Sequence, residues 1–301
     1  MKLSLYLSIS ILPLFLLGTN AQAADAPVVA QCGLTGMVEG GAGYQGGNIT
    51  GLSVLVPDAP MSGNFLGFGE TAIGYGCSNW MAQLDSAFYH SGFSNNNPLG
   101  QFDGQDNQWH IGGAIFWRNA SVGRVGLAAS EILNNTHIGS AAFNADIGGS
   151  LSRIGVFGDF YASDAITLGA GAFSVNGNPF HPPGPTVAET GFEGNIHAKF
   201  YATDNISLSL QGDIQRANLT NAGTVVPWNG IAGSAEAEYL VPNTALSLFL
   251  GGRFASRSYD PPIIINETQG YVGVTWAFGG PVSSLRARYR SGPFDNPSIA
   301  D

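Results

Sequence analysis

The segment "FYASDAITL", residues 160 to 168, returns as "FYATDNISL", residues 200 to 208, and in altered form as "EYLVPNTALSL", residues 238 to 248. Each copy joins an aromatic residue to a tight polar turn and then to a run in which apolar and polar residues alternate. An alternation of period two places its apolar members on one face of an extended strand, not on a helix. The same pattern governs most of the chain. Trp80, Ala82, Leu84 and Phe88 share a face opposite Met81, Gln83, Asp85 and Ala87. Trp109, Ile111, Ile115 and Trp117 oppose His110, Ala114 and Phe116, and Ile206, Leu208 and Leu210 oppose Ser207, Ser209 and Gln211. A chain written this way folds into antiparallel hairpins.

Alternation alone does not say whether the apolar face looks into a sandwich core or out to lipid. The turns discriminate. Short polar junctions at residues 76–79, 118–121, 162–165, 202–205 and 241–244 alternate with longer Gly-, Asn-, Asp- and Pro-rich segments such as "GFSNNNPLGQFDGQDN" and "NGNPFHPPGPTV". Short turns on one side and long loops on the other mark a transmembrane barrel, whereas sandwich connections lack that two-sided bias. Five short turns join ten strands, one more precedes them around Cys32 to Tyr44, and one follows around Thr268 to Phe278. The fold expected is all-β: a closed antiparallel transmembrane barrel of about twelve strands, with ten or fourteen as alternatives. Residues 131–150 read either as a long loop or as extended strand ends.

Composition supports an outside that is not water. Hydrophobic residues make up 44% and charged residues only 11% of the chain, about half the ~25% charged share of soluble domains. Lys2 and Lys199 are the only lysines. Acidic residues number 21 against 11 basic, which argues against nucleic acid as a partner. The N-terminus carries Lys2, an apolar run from Leu3 to Gly18 and "AQA" at Ala21 to Ala23, the pattern of a cleaved secretory signal. The run is shorter than the ~20 residues a retained helical anchor needs, and Gln31 before Cys32 does not fit a lipid-attachment site. The expected organisation is a signal peptide over 1–23, a barrel over 24–278 and a periplasmic tail over 279–301.

Phe160, Tyr161, Phe200, Tyr201, Tyr239 and Trp117 each lie within a few residues of a short turn, where amphipathic rings favour the headgroup level. The last strand, "YVGVTWAF", closes with Val274, Trp276 and Phe278 in step. On these features the chain resembles the porin-like outer-membrane barrels of Gram-negative bacteria. The resemblance implies outer-membrane lipid as surroundings and a passive pore for small hydrophilic solutes or ions, with no cofactor. The alternative is a non-conducting structural or surface-interaction barrel, which the large inward-parity residues Phe116, Phe157 and Phe173 favour. Such barrels usually end at the final aromatic, whereas this chain continues through "SSLRARYRSG". That tail reads as a further strand, a plug entering the acidic lumen, or a disordered periplasmic end, the last being the simplest.

Parity assigns the candidate lumen residues, except that aligning "EYLVPNTAL" on its Tyr would turn Ala237 inward in place of Glu236 and Glu238, and the cost of a lipid-facing carboxylate decides for the glutamates. Arg124, Asp159, Lys199, Glu236 and Glu238 lie nearest the short turns, and Glu70, Asp85, His110, Asp213 and Arg253 form a second set farther along the strands. Arg124 and Asp159 are placed to pair across neighbouring strands. Mixed charges of this kind can simply fill and hydrate a lumen, or form a constriction that favours cations. Cys32 and Cys77, at the turn-side ends of adjacent strands in an exported chain, are expected to form a disulfide closing a 45-residue span. No His or Cys neighbours them in sequence to suggest a metal. Enzymatic chemistry is not expected, since no GxSxG or HExxH motif occurs and no His has an evident Ser or Asp partner. "FDGQDN" hints at calcium but lacks the acidic repeat of a calcium loop.

Overall fold

The computed structural model describes residues 32–50, 59–97, 100–140, 144–181, 187–260, 263–280 and 283–293. The expected signal peptide lies outside the described residues. Twelve strands follow one another: β1 (Gly33–Thr50), β2 (Ala59–Cys77), β3 (Trp80–Asn97), β4 (Gly100–Asn119), β5 (Gly123–Ser140), β6 (Asn144–Ser163), β7 (Ile166–His181), β8 (Val187–Thr203), β9 (Ile206–Asn221), β10 (Thr224–Leu240), β11 (Leu246–Tyr259) and β12 (Ile263–Phe278). One helix, α1 (Leu285–Ser291), follows. Each strand pairs with its sequence neighbours, and β1 pairs antiparallel with β12 from Gly36↔Phe278 to Thr50↔Ile264, closing the barrel. Closure leaves no edge with unmet backbone donors and acceptors, the condition for a sheet to exist in hydrocarbon.

The alternation resolves into an apolar outside and a polar inside. Leu84 is 73% exposed, Ile196 67% and Ile111 60%, while Asp85, Asn195 and His110 beside them in sequence are buried. Outward rings gather at two levels. Tyr75, Trp80, Phe160, Phe200, Tyr239 and Trp276 lie near the short turns, and Tyr44, Phe65, Trp109, Phe192 and Phe254 stand farther along the strands. Trp80 to Phe88 is eight residues of one strand, or about 27 Å of chain at ~3.4 Å per residue, and barrel tilt reduces this to roughly the ~25 Å height of a lipid-facing band.

Most of the residues expected as long loops are strand. β3 continues to Asn97 and β4 resumes at Gly100, and within 131–150 residues 131–140 end β5 and residues 144–150 begin β6. β9 and β10 are joined by Ala222 and Gly223 alone, both at positive φ (48° and 85°), the conformation a tight hairpin turn requires. These polar residues therefore carry the ladder past the apolar band; lacking an apolar face, they gave no strand signature. At the other end Cys32 and Cys77 are bonded, tying the start of β1 to the end of β2.

Over the described residues 283–293 the tail is not a disordered end. Residues 285–291 form α1, capped by Ser284, whose Oγ accepts from the Ala287 amide at 3.1 Å. Leu285 is 2% exposed and packs with Tyr201 and Leu240. The alternation of Leu285, Ala287 and Tyr289 with arginines imitates a strand, yet the backbone coils because every edge of the sheet is already taken.

Leu84 stands midway between Trp80 and Phe88, so Leu84→Arg is expected to destabilise the barrel by about 2–4 kcal/mol, read as a lowered urea midpoint in lipid vesicles. Replacing both Cys32 and Cys77 by Ser is expected to lower the unfolding free energy by about 4 kcal/mol, the loop-entropy value for this separation, measured the same way.

Candidate functional site: the barrel lumen

The lumen is filled unevenly. Along β3 to β7 an apolar cluster of Met81, Ala114, Phe116, Ala128, Phe157 and Phe173 occupies the interior, with Phe116 and Phe157 edge to face at 5.7 Å between ring centroids. Above it lie a buried ion pair and a buried polar contact. Arg153 Nη2 donates to Glu193 Oε1 at 2.5 Å and its guanidinium stacks over Phe173 at 4.6 Å. His110 Nδ1 lies 3.4 Å from Asp85 Oδ2.

Towards the short turns the interior is closed by α1. Arg124 Nε donates to Asp159 Oδ2 at 2.6 Å, both side chains being fully buried, so the cross-strand pairing that parity suggested is formed. Asp159 Oδ1 meets His197 Nε2 at 2.9 Å. Gly169 makes this possible: a Cβ there would come within 2.1 Å of the His197 ring and 2.3 Å of Asp159 Oδ1. Tyr289 of α1 donates its hydroxyl to Asp159 Oδ2 at 3.2 Å and lies at the same distance from His197 Nε2. Its ring receives two cations, Arg124 at 4.5 Å and Lys199 at 5.0 Å. Lys199 Nζ in turn donates to Glu238 Oε2 at 3.1 Å, and Glu238 Oε1 accepts from Ser247 at 2.6 Å.

The helix arginines fasten α1 to the turns. Arg290 donates to the Ser163 carbonyl at 2.5 Å and stacks on Tyr161 at 4.4 Å. Arg288 reaches Ser247 at 3.3 Å, Arg286 lies 3.5 Å from Asp164, and Arg118 of β4 donates to the Ser291 carbonyl. The Leu285 amide donates to the Asp204 carbonyl at 2.8 Å. These attachments fall mainly on β4 to β9, so the helix lies against one half of the mouth.

Space remains on the opposite side. A cavity of about 200 Å3 is lined by Glu39, Glu70, Glu236, Arg253 and Tyr271, with Tyr289 of the helix among its walls. A second, of about 70 Å3, runs beside α1 past Glu238, Thr275 and Ala277. Glu39, Lys199, Glu236 and Tyr289 line both, so the two adjoin where β1, β8 and β10 face α1.

All ten residues singled out from the sequence face inward, but they do not form one cluster. Arg124 and Asp159 sit under the helix, Lys199 and Glu238 beside it, Glu70, Glu236 and Arg253 around the larger cavity, and Asp85 with His110 against the apolar cluster. Asp213 accepts from Gln211 at 2.8 Å. Arg153, Glu193, Glu39 and His197 were missed; the parity that found Asp159 also puts Arg153 inward, six residues away. Tyr289 had no such signal.

The fold is similar to that of the translocator domain of the autotransporter NalP from Neisseria meningitidis, at 15% identity over 82% of this chain and 88% of that one, with a TM-score of 0.55. It is also similar to an outer membrane channel from Pseudomonas putida F1, at 9% identity over 86% of this chain and 100% of that one, with a TM-score of 0.60. No protein-family profile and no curated protein sequence matches the chain. Closure, the outward apolar belt and the inward polar residues define a closed twelve-stranded β-barrel whose fold is similar to that of these outer-membrane barrels, with its lumen narrowed by the helix α1.

Tyr289→Ala removes two cation–π contacts and a hydroxyl at the centre of this network. It is expected to weaken helix docking by about 2 kcal/mol. Tryptic cleavage after Arg288 and Arg290 in the folded barrel should then quicken about 30-fold, followed by mass spectrometry.

Proposed function

We propose that this protein resides in the outer membrane and acts as a narrow channel for passive diffusion of small hydrophilic solutes, cations above all. The observation that carries the reading is the pair of adjoining cavities where β1, β8 and β10 face α1, which share Glu39, Lys199, Glu236 and Tyr289 and continue past α1. Carboxylates outnumber cationic groups along that wall, and a narrow passage with excess negative charge attracts cations and repels anions. Arg124, Asp159, Lys199 and Glu238 hold the helix and thereby set the bore; Glu70, Glu236 and Arg253 set the charge the solute meets. Asp85 and His110 belong to the packed part of the lumen, and Asp213 holds Gln211, which lines the larger cavity.

A second reading has its own observation. The apolar cluster around Phe116, Phe157 and Phe173 packs into the interior along β3 to β7, as suits a structural or surface-interaction barrel. Planar-bilayer recording separates the two. The channel reading expects small, cation-selective steps from the full chain and a several-fold larger conductance after deletion of residues 283–301. A barrel that inserts and folds but stays silent in both forms is the non-conducting one.

A further inference from the structure

The repeated hairpins have an inward side that a passage for solutes does not explain. "FYASD" buries Tyr161 inside the barrel and leaves Asp164 exposed on the turn, and "FYATD" does the same with Tyr201 and Asp204. The altered third copy contributes Leu240 and Ser247, both buried. All of these residues touch α1. The Arg290 guanidinium stacks on Tyr161 at 4.4 Å, donates to the Ser163 carbonyl and lies 3.6 Å from Asp164 Oδ1. Leu285 packs with Tyr201 and Leu240, its amide donates to the Asp204 carbonyl at 2.8 Å, and Arg288 donates to Ser247 at 3.3 Å. Successive hairpins thus build one continuous seat.

What occupies the seat has the properties of a ligand. α1 is seven residues long, well short of the ~12–15 residues an isolated helix needs to persist in water, so its order comes from the seat. Residues 285–291 hold Arg286, Arg288 and Arg290 and no acidic residue. The groups that receive the side chains of α1 are turn carbonyls, carboxylates, a serine hydroxyl and aromatic faces, a set that suits cations. The other flank of α1 borders the cavity of about 70 Å3 beside Thr275 and Ala277. The helix can leave through that space without disturbing the packed half of the lumen.

We infer that the seat is a binding site for a short basic peptide segment of a separate chain, with α1 as its resident competitor. The segment carries Leu, Tyr and Arg at helix positions i, i+4 and i+5, as Leu285, Tyr289 and Arg290 do. Each has its own socket: Tyr201 with Leu240 for the leucine, Asp159 between Arg124 and Lys199 for the tyrosine, Tyr161 with Asp164 for the arginine. An acidic segment would set a carboxylate against Asp164 and the Ser163 carbonyl. A second copy is a poor source, because Gly279, at φ 72° and so close to β1 that a Cβ would fall within 1.9 Å of the Leu34 carbonyl oxygen, turns each tail back over its own mouth. The inference goes beyond the channel reading and needs no conduction.

Fluorescence anisotropy of a labelled peptide of residues 283–293, titrated with the folded full chain in detergent, tests it. The wild-type tail competes from the same molecule, and a site open only part of the time binds in proportion to that fraction. Tyr289→Ala loosens the tail and leaves the seat intact, so it is expected to bind the peptide about 30-fold more tightly than wild type does. Arg290→Gln, a second variant confined to the tail, should bind it at least tenfold more tightly. Adding Asp164→Lys on the exposed turn to Tyr289→Ala should lower the affinity several-fold, and a peptide carrying Arg290→Glu should not bind. No binding to either tail variant, equal affinity in wild type and both variants, or full binding of the Arg290→Glu peptide each overturns the site. Dimers of wild type with Tyr289→Ala in the absence of peptide, seen by sedimentation, would make the ligand a second copy's tail and overturn the assignment to a separate chain. A barrel that is silent in planar bilayers yet binds the peptide loses the channel and keeps the site; a conducting barrel that does not bind it loses the site alone.

Discussion

The pairing of β1 with β12 is the interaction on which everything else depends. A sheet immersed in hydrocarbon has no water to satisfy an open edge, so the first and last strands must meet. Once they do, every side chain is committed to one of two surroundings by the parity of its position. A single-residue slip would exchange the apolar and polar sets wholesale. The Cys32–Cys77 bond fixes the end of the strand where closure is made, since β1 carries both the disulfide and the register with β12.

Closure also creates the problem that the interior then solves. Twelve strands enclose a space wider than short side chains fill, and the two halves of the lumen fill it differently. Along β3 to β7 phenylalanines and buried pairs such as Arg153–Glu193 occupy it. A buried pair of this kind contributes little net stability over an apolar substitute, yet leaving either partner alone is costly, by ~3–5 kcal/mol. Such pairs act as fixtures: Arg124–Asp159 offers α1 a rigid seat of known charge, and Tyr289 adds an aromatic face for Arg124 and Lys199. The helix is held on one side, and the acidic wall opposite it stays open.

That asymmetry gives the lumen its chemistry. Rings packed close against glycines and carboxylates on neighbouring strands give the larger cavity both apolar and acidic lining. In so enclosed a space charge is screened less than in bulk water, and the sign of a solute matters more than it would at a surface.

The barrel and its facing were legible because period-two alternation is a local property that geometry reads the same way in every strand. The inward set from Glu70 to Arg253 followed from parity, and the Arg124–Asp159 pair from adjacency of consecutive hairpins. The polar strand ends beyond the apolar band, as at Asn97 and Asn221, were hidden because strands there have no apolar face to alternate. The fate of the tail was hidden for a different reason. "SSLRARYRSG" alternates like a strand, and nothing in its own residues says that no edge is left to join or that Asp159, Lys199 and the turn carbonyls await it inside. The chain's local pattern determined a closed barrel with an apolar exterior. Which luminal charges meet, where the helix seats and which wall stays open were decided only by closure, because those contacts join residues that come together solely when the ring of strands is complete.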